Sequence, residues 1–161
     1  MRPAGERETK LGRRCPRRHG PLARLRLGRL GRAWFSSHGA SVYFEDSPSR
    51  DLSPDWKFGI TYNAVLKLCT ILVYAEGWRP EKNLAHYRTL QALPLILGKE
   101  RQADADYLDT CRSKRNTAEY DAPGQVSAKE AGELAAFARE LREQVIEWLG
   151  KNHPQLNPWS G

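Results

Sequence analysis

The stretch "NAVLKLCTILVYA", residues 63–75, is apolar almost all the way round a helical wheel, with Lys67 its single charge. A surface helix needs one polar face, so a helix of this kind must be packed on several sides. Its uninterrupted apolar run is too short to cross a bilayer, and no window of 18 purely apolar residues occurs. A chain of 161 residues suffices for one ordinary domain with a real core. A central helix wrapped by a few others is therefore the first expectation.

The punctuation around that stretch supports helices throughout. "SPDW" supplies Ser53 as N-cap, Pro54 at the first helical position and Asp55 in the first turn, where the helix dipole favours an anion. The helix is expected to run to about Glu76 and stop at Gly77. A second helix is predicted over Asn83–Ala92, with Leu84, Tyr87 and Leu90 on one face. Pro94 ends or kinks it before a short turn closed by Gly98. A third runs from about Lys99 to Tyr120 and breaks at "APG". "SAKE" reads as a capping box, Ser127 with Glu130. The last helix then extends to about Leu149 on the stripe Leu134, Phe137, Leu141, Val145 and Trp148, and residues 151–161 read as a fraying tail. Sustained alternation of polarity is absent, so the fold class is all-α, an up-and-down bundle of about four helices.

Charge divides the chain in two. Residues 1–50 hold 12 Lys/Arg against 4 Asp/Glu, whereas residues 51–161 hold 14 against 15, so the net +7 belongs to the N-terminal part. Residues 1–51 read as a basic segment that is either disordered or not native to the domain, with Pro21–Phe35 the one span able to form a short basic helix. The domain proper is placed at 52–150. Its balanced charge leaves room for a local anion-binding patch, not for a basic footprint over the whole surface. Cys15, Cys69 and Cys111 are widely spaced and odd in number, which fits a reduced, cytoplasmic setting with Cys69 and Cys111 as small core residues. No His, Cys or Asp cluster has metal spacing, so neither metal nor cofactor is expected. Trp56, Tyr62 and Trp78 read as packing aromatics, and His19, His38 and His153 as tail residues.

"CRSKRNTAEYD", residues 111–121, concentrates hydrogen-bonding groups on the third helix. At about 100° per residue, Tyr107, Cys111 and Ala118 share the apolar sector with Leu108 at its edge. Arg112, Asn116 and Tyr120 follow one another at i, i+4 along one ridge, and Arg115 can pair with Glu119 on the next. The ridge reads either as a solvated face or as an anion site. In the second case, Arg112, Lys114 and Arg115 bind phosphate while Asn116 and Tyr120 orient it.

"KRNTAEYD", after a long helix and before a capped terminal one, resembles the signature of HEPN domains (higher eukaryotes and prokaryotes nucleotide-binding). "SPDWKFGITYNA", "YAEGWRP" and "HYRTLQALPLILG" extend the resemblance over roughly residues 52–150. It implies an all-α bundle that dimerises. It also implies RNA or nucleotide binding, or partner binding beside a nucleotidyltransferase-type protein, in a toxin–antitoxin or defence-type system, with no membrane involved. The alternative it implies is a metal-independent endoribonuclease. Arg115 matches the motif arginine and Asn116 the polar residue after it. Tyr120 stands where the motif has histidine, and a phenol near pKa 10 is a poor base at neutral pH. Catalysis, if present, uses the substrate's own 2′-hydroxyl with Arg115 stabilising the phosphate. His86 on the second helix, and Glu119, are the possible accessory groups. Weak or absent catalysis is expected.

Overall fold

The computed structural model of the chain describes residues 22–24, 52–80, 84–120 and 123–157, with residues 22–24, 119 and 120 described by their backbone. It is an all-α bundle. Helix α1 spans Pro54–Ala75 and begins as the sequence reading has it: the Ser53 side chain accepts from the Trp56 N–H, and Asp55 sits in the first turn. Glu76 caps its C-terminus, and Gly77 turns the chain with φ +79°. Strand β2, Trp78–Pro80, follows and pairs antiparallel with β1, Leu22–Arg24, setting Leu22 opposite Pro80 and Arg24 opposite Trp78. At those three residues the ribbon departs from the reading of residues 1–51 as disordered, and pairs as strand within the span, Pro21–Phe35, that the sequence allows as a short helix; the rest of residues 1–51 lies outside the described ones. Three residues per strand are too few to leave a readable alternation.

Leu84, in the left-handed region at φ 56°, leads into α2, Ala85–Gln91. Ala92 joins it to the short α3, Leu93–Ile96, which contains Pro94. Leu84 and Tyr87 face solvent while Thr89 and Leu90 are buried, so the inward face of α2 differs from the predicted one. Periodicity could not show this, because Leu84 stands outside the helix. After Gly98 (φ +130°), one 3-10 turn at Lys99–Arg101 feeds α4, Gln102–Tyr120. Helix α5, Ala128–Asn152, opens on the capping box: the Ser127 hydroxyl accepts from the Glu130 N–H at 3.2 Å, and the Glu130 carboxylate accepts from the Ser127 N–H at 3.0 Å. A further 3-10 turn, Pro154–Leu156, closes the described chain.

Helix α1 is the hub. By length and hydropathy it is a helix that could cross a membrane, yet most of it is buried inside the bundle. Helix α5 packs along it most extensively, and α2, α3 and α4 cover other sides. Val65, Leu68, Ile71 and Leu72 share one core with Leu134, Leu141, Val145 and Leu149 of α5 and with Leu90, Leu93 and Leu108. Each such aliphatic side chain contributes about 1.5–3 kcal/mol by leaving water.

The tail does not fray at residue 151. Helix α5 continues to Asn152, Leu156 packs against the core, and the His153 Nε2 stands 3.2 Å from a Glu76 carboxylate oxygen. The His153 ring lies 5.1 Å from that of Trp148. Glu76 is 77 positions away in sequence, so no local pattern announces this clasp.

The Leu72→Ala substitution is expected to cost about 2–5 kcal/mol and Ser127→Ala about 1 kcal/mol in urea unfolding, the first by opening a cavity, the second by losing a cap. Burial pushes the Cys69 thiol from 9.0 up to about 12. The folded state thus holds a proton that the unfolded chain releases near pH 9, so this contribution is complete below pH 9 and lost as pH climbs towards 12. Cys69→Ala should flatten that alkaline slope of stability.

Candidate functional site

The site grows from the way α4 meets α1. Ala105, Leu108, Cys111 and Ala118 are buried and hold α4 against the bundle. Leu108 is fully buried and central, not at the edge, while Tyr107 is half-buried and meets the Phe137 ring edge-on at 5.4 Å. The helix is therefore rolled relative to the sequence reading. Arg115 follows Leu108 by seven residues, almost the same meridian of the helix. Its guanidinium is carried inward, 5.9 Å over the centre of the Tyr62 ring on α1. A cation over an aromatic face in a partly desolvated place is stabilised by about 0.5–2 kcal/mol.

The expected site residues do not all share one place. Lys114, about 100° round the helix from Arg115, forms an ion pair with Glu130 in the first turn of α5. That ammonium, with the Ser127 backbone and hydroxyl behind it, holds the Glu130 carboxyl down at about 2. Lys114 thus ties α4 to the capping box and stands apart from the other two cations. Arg112 is half-buried, its Nε donating to Asp109 at 2.7 Å. Asn116 is exposed. The side chains of Glu119 and Tyr120 lie outside the described residues.

His86 is brought to Arg115, a proximity that sequence could not decide. It projects from α2 with its ring 6.5 Å from that of Tyr62, the same ring that Arg115 approaches. Burial, then the positive fields of Arg115 and Arg112, depress the His86 pKa below 6.5. Burial pushes the Tyr62 phenol up to about 12, with Arg112 and Arg115 pulling it back part of the way. Tyr62 is wholly buried, and its hydroxyl has no hydrogen-bond partner among the described residues. Two arginines, a neutral imidazole and a protonated phenol thus meet where α1, α2 and α4 converge.

Arg115 also borders a cleft of about 310 Å³ between α1 and α4, lined with it by Trp56, Gly59, Ile60, Asn63 and Ala118. Trp56 is 68% exposed and Ile60 52%, so Trp56 departs from the packing role expected of it. Gly59 contributes no side chain to this cleft, and a Cβ there would meet nothing within 4 Å. Asp55 fixes the rim, one carboxylate oxygen accepting from the Gly124 N–H at 2.6 Å and the other from the Val126 N–H at 3.0 Å. Arg115 was expected at a site, but the α1 residues of the cleft escaped the sequence reading. Their signal was the spacing of Trp56, Gly59, Ile60 and Asn63 at i, i+3, i+4 and i+7, one face of a helix otherwise read only for its buried side.

Comparison with models of known protein families, with curated proteins and with solved structures finds no match.

If Arg115 sets the field at His86, removing it must be visible at the imidazole. The His86 resonance is expected to titrate below pH 6.5 in the parent and to move upward in Arg115→Ala, followed by NMR. An unchanged midpoint would separate the two side chains.

Proposed function

We propose that this chain is a helical domain of the HEPN kind that binds RNA or a nucleotide through the α1–α4 cleft. One observation carries this reading: a half-buried arginine, Arg115, and an exposed indole, Trp56, line the same cleft. Guanidinium and phosphate match in geometry and charge, and an aromatic face stacks any base. A volume near the lower end for small-ligand sites suits one nucleotide unit rather than a duplex. The balanced charge of residues 51–161 agrees with a local grip on one or two phosphates. The homodimer, a nucleotidyltransferase-type partner and a place in a toxin–antitoxin or defence-type system belong to the same proposal, carried by the resemblance over residues 52–150.

The test is anisotropy titration of a fluorescently labelled single-stranded RNA in chelator. Arg115→Ala should weaken binding about tenfold or more, the scale of one hydrogen-bonded charge contact, and lower the salt slope by roughly 0.7. Trp56→Ala should weaken it about fivefold or more by removing stacking. Gly59→Leu replaces a poor helix former and has room for its first carbon, so it should stay folded while filling the cleft and abolishing binding. Undiminished affinity in Gly59→Leu would place the ligand elsewhere, and no association by the parent would end the proposal.

A further inference from the structure

We infer that Asn63 reads the ribose 2′-hydroxyl of the bound ligand and makes the α1–α4 cleft selective for RNA over DNA. The inference rests on the RNA-binding reading above and names the group that sets its substrate class. Ser53, Asp55, Asn63 and Arg115 bring polar side chains to the cleft wall. Ser53 is engaged in capping α1, and the two Asp55 carboxylate oxygens accept from the backbone N–H groups of Gly124 and Val126. Arg115 is the group assigned to phosphate. Asn63 is exposed and has no hydrogen-bond partner among the described residues. Asparagine is also among the weaker helix formers, so this amide does not serve the helix that carries it.

The order of groups along the cleft decides what the amide meets. Arg115 stands over the ring of Tyr62 while the Gly124 N–H reaches Asp55, so α4 and the turn after it run antiparallel to α1. Trp56 and Pro123 therefore mark one end of the cleft, and Asn63 and Arg115 the other. At roughly 1.5 Å per residue, Trp56 and Asn63 stand about 10 Å apart along the helix. Gly59 lies between them, with open space where a side chain would stand. Side chains on a helix lean towards its N-terminus, which carries the Asn63 amide back over the Gly59 turn. With a base on the Trp56 indole and its phosphate on Arg115, the sugar lies over Gly59, beneath that amide. A 2′-hydroxyl both donates and accepts, and a carboxamide offers an N–H and a carbonyl oxygen to match it. A deoxyribose leaves the amide without that partner.

The experiment is anisotropy titration, in chelator, of one labelled single-stranded sequence made as RNA, as DNA and as 2′-fluoro RNA. The parent should prefer RNA to DNA by about three- to tenfold, the scale of one neutral hydrogen bond. The 2′-fluoro strand keeps the sugar shape of RNA but lacks the hydroxyl donor, and it should bind like DNA. Asn63→Ala should weaken RNA binding about three- to tenfold and bring RNA and DNA to equal affinity. Alanine is the better helix former, so this variant stays folded, which thermal unfolding checks. A ribose reaches the cleft in a strand or in a free nucleotide, and competition by AMP and 2′-deoxy-AMP separates the two. AMP displacing the strand ahead of 2′-deoxy-AMP supports the inference with a free nucleotide as ligand. Displacement by neither assigns the ligand to the strand, where the comparison of RNA with DNA decides, and equal displacement by both overturns the inference. Equal affinity of the parent for RNA and DNA, or a preference that survives in Asn63→Ala, overturns it too and leaves the binding reading standing. Failure of the parent to bind any strand removes both proposals together.

Discussion

The burial of α1 on several sides is the constraint from which the rest of the molecule follows. A helix with Val65, Leu68, Ile71, Leu72 and Val73 all withdrawn from water has no stable existence unless other helices cover it. Helix α5 covers one long side, and α4 and the α2–α3 pair take others. Among the described residues, those partners leave a strip of the N-terminal half exposed, the strip of Trp56, Ile60 and Asn63. The candidate cleft is therefore a by-product of how the core is closed. It is the part of the hub helix that the bundle does not need.

Helix α4 shows a conflict between packing and polarity at one residue. Leu108 and Arg115 lie on nearly the same meridian, and the helix uses the first as core and the second as a half-buried cation. An arginine on an inward face costs stability unless something meets its charge, and here the Tyr62 ring does part of that. Burial shifts both His86 and Tyr62 towards their neutral forms, and the field of the arginines adds to that shift at His86 and opposes it at Tyr62. One residue that breaks the local pattern at an inward position thus alters the titration of the groups around it.

The cations of "CRSKRN" show how far a linear pattern can mislead about cooperation. Arg112, Lys114 and Arg115 look like one patch on paper. In three dimensions, Lys114 serves the α4–α5 junction through Glu130, and the capping box that steadies α5 is tied into the same network. The remaining two face the α1–α2 side and act on His86 and Tyr62. Positions three apart share a face and adjacent ones diverge, so Arg112 keeps company with Arg115 and the neighbouring lysine does not.

Much of the fold was legible in the residues because its signals are local. Ser53-Pro54-Asp55, Gly77, Gly98, and Ser127 with Glu130 act within one or two helical turns, and the periodicity of α5 needs no partner to be seen. The short ribbon of β1 and β2, the tail clasp of His153 on Glu76, and the roll of α4 were not legible, because each depends on groups far apart in the chain. The candidate site divides in the same way. Sequence alone determined that Arg115 stands on a helix near a core border. Tertiary packing decided that its neighbours are Tyr62, His86 and an indole-rimmed cleft, because only the docking angle of α4 on α1, set by the summed fit of many apolar side chains, brings those groups within reach of one another.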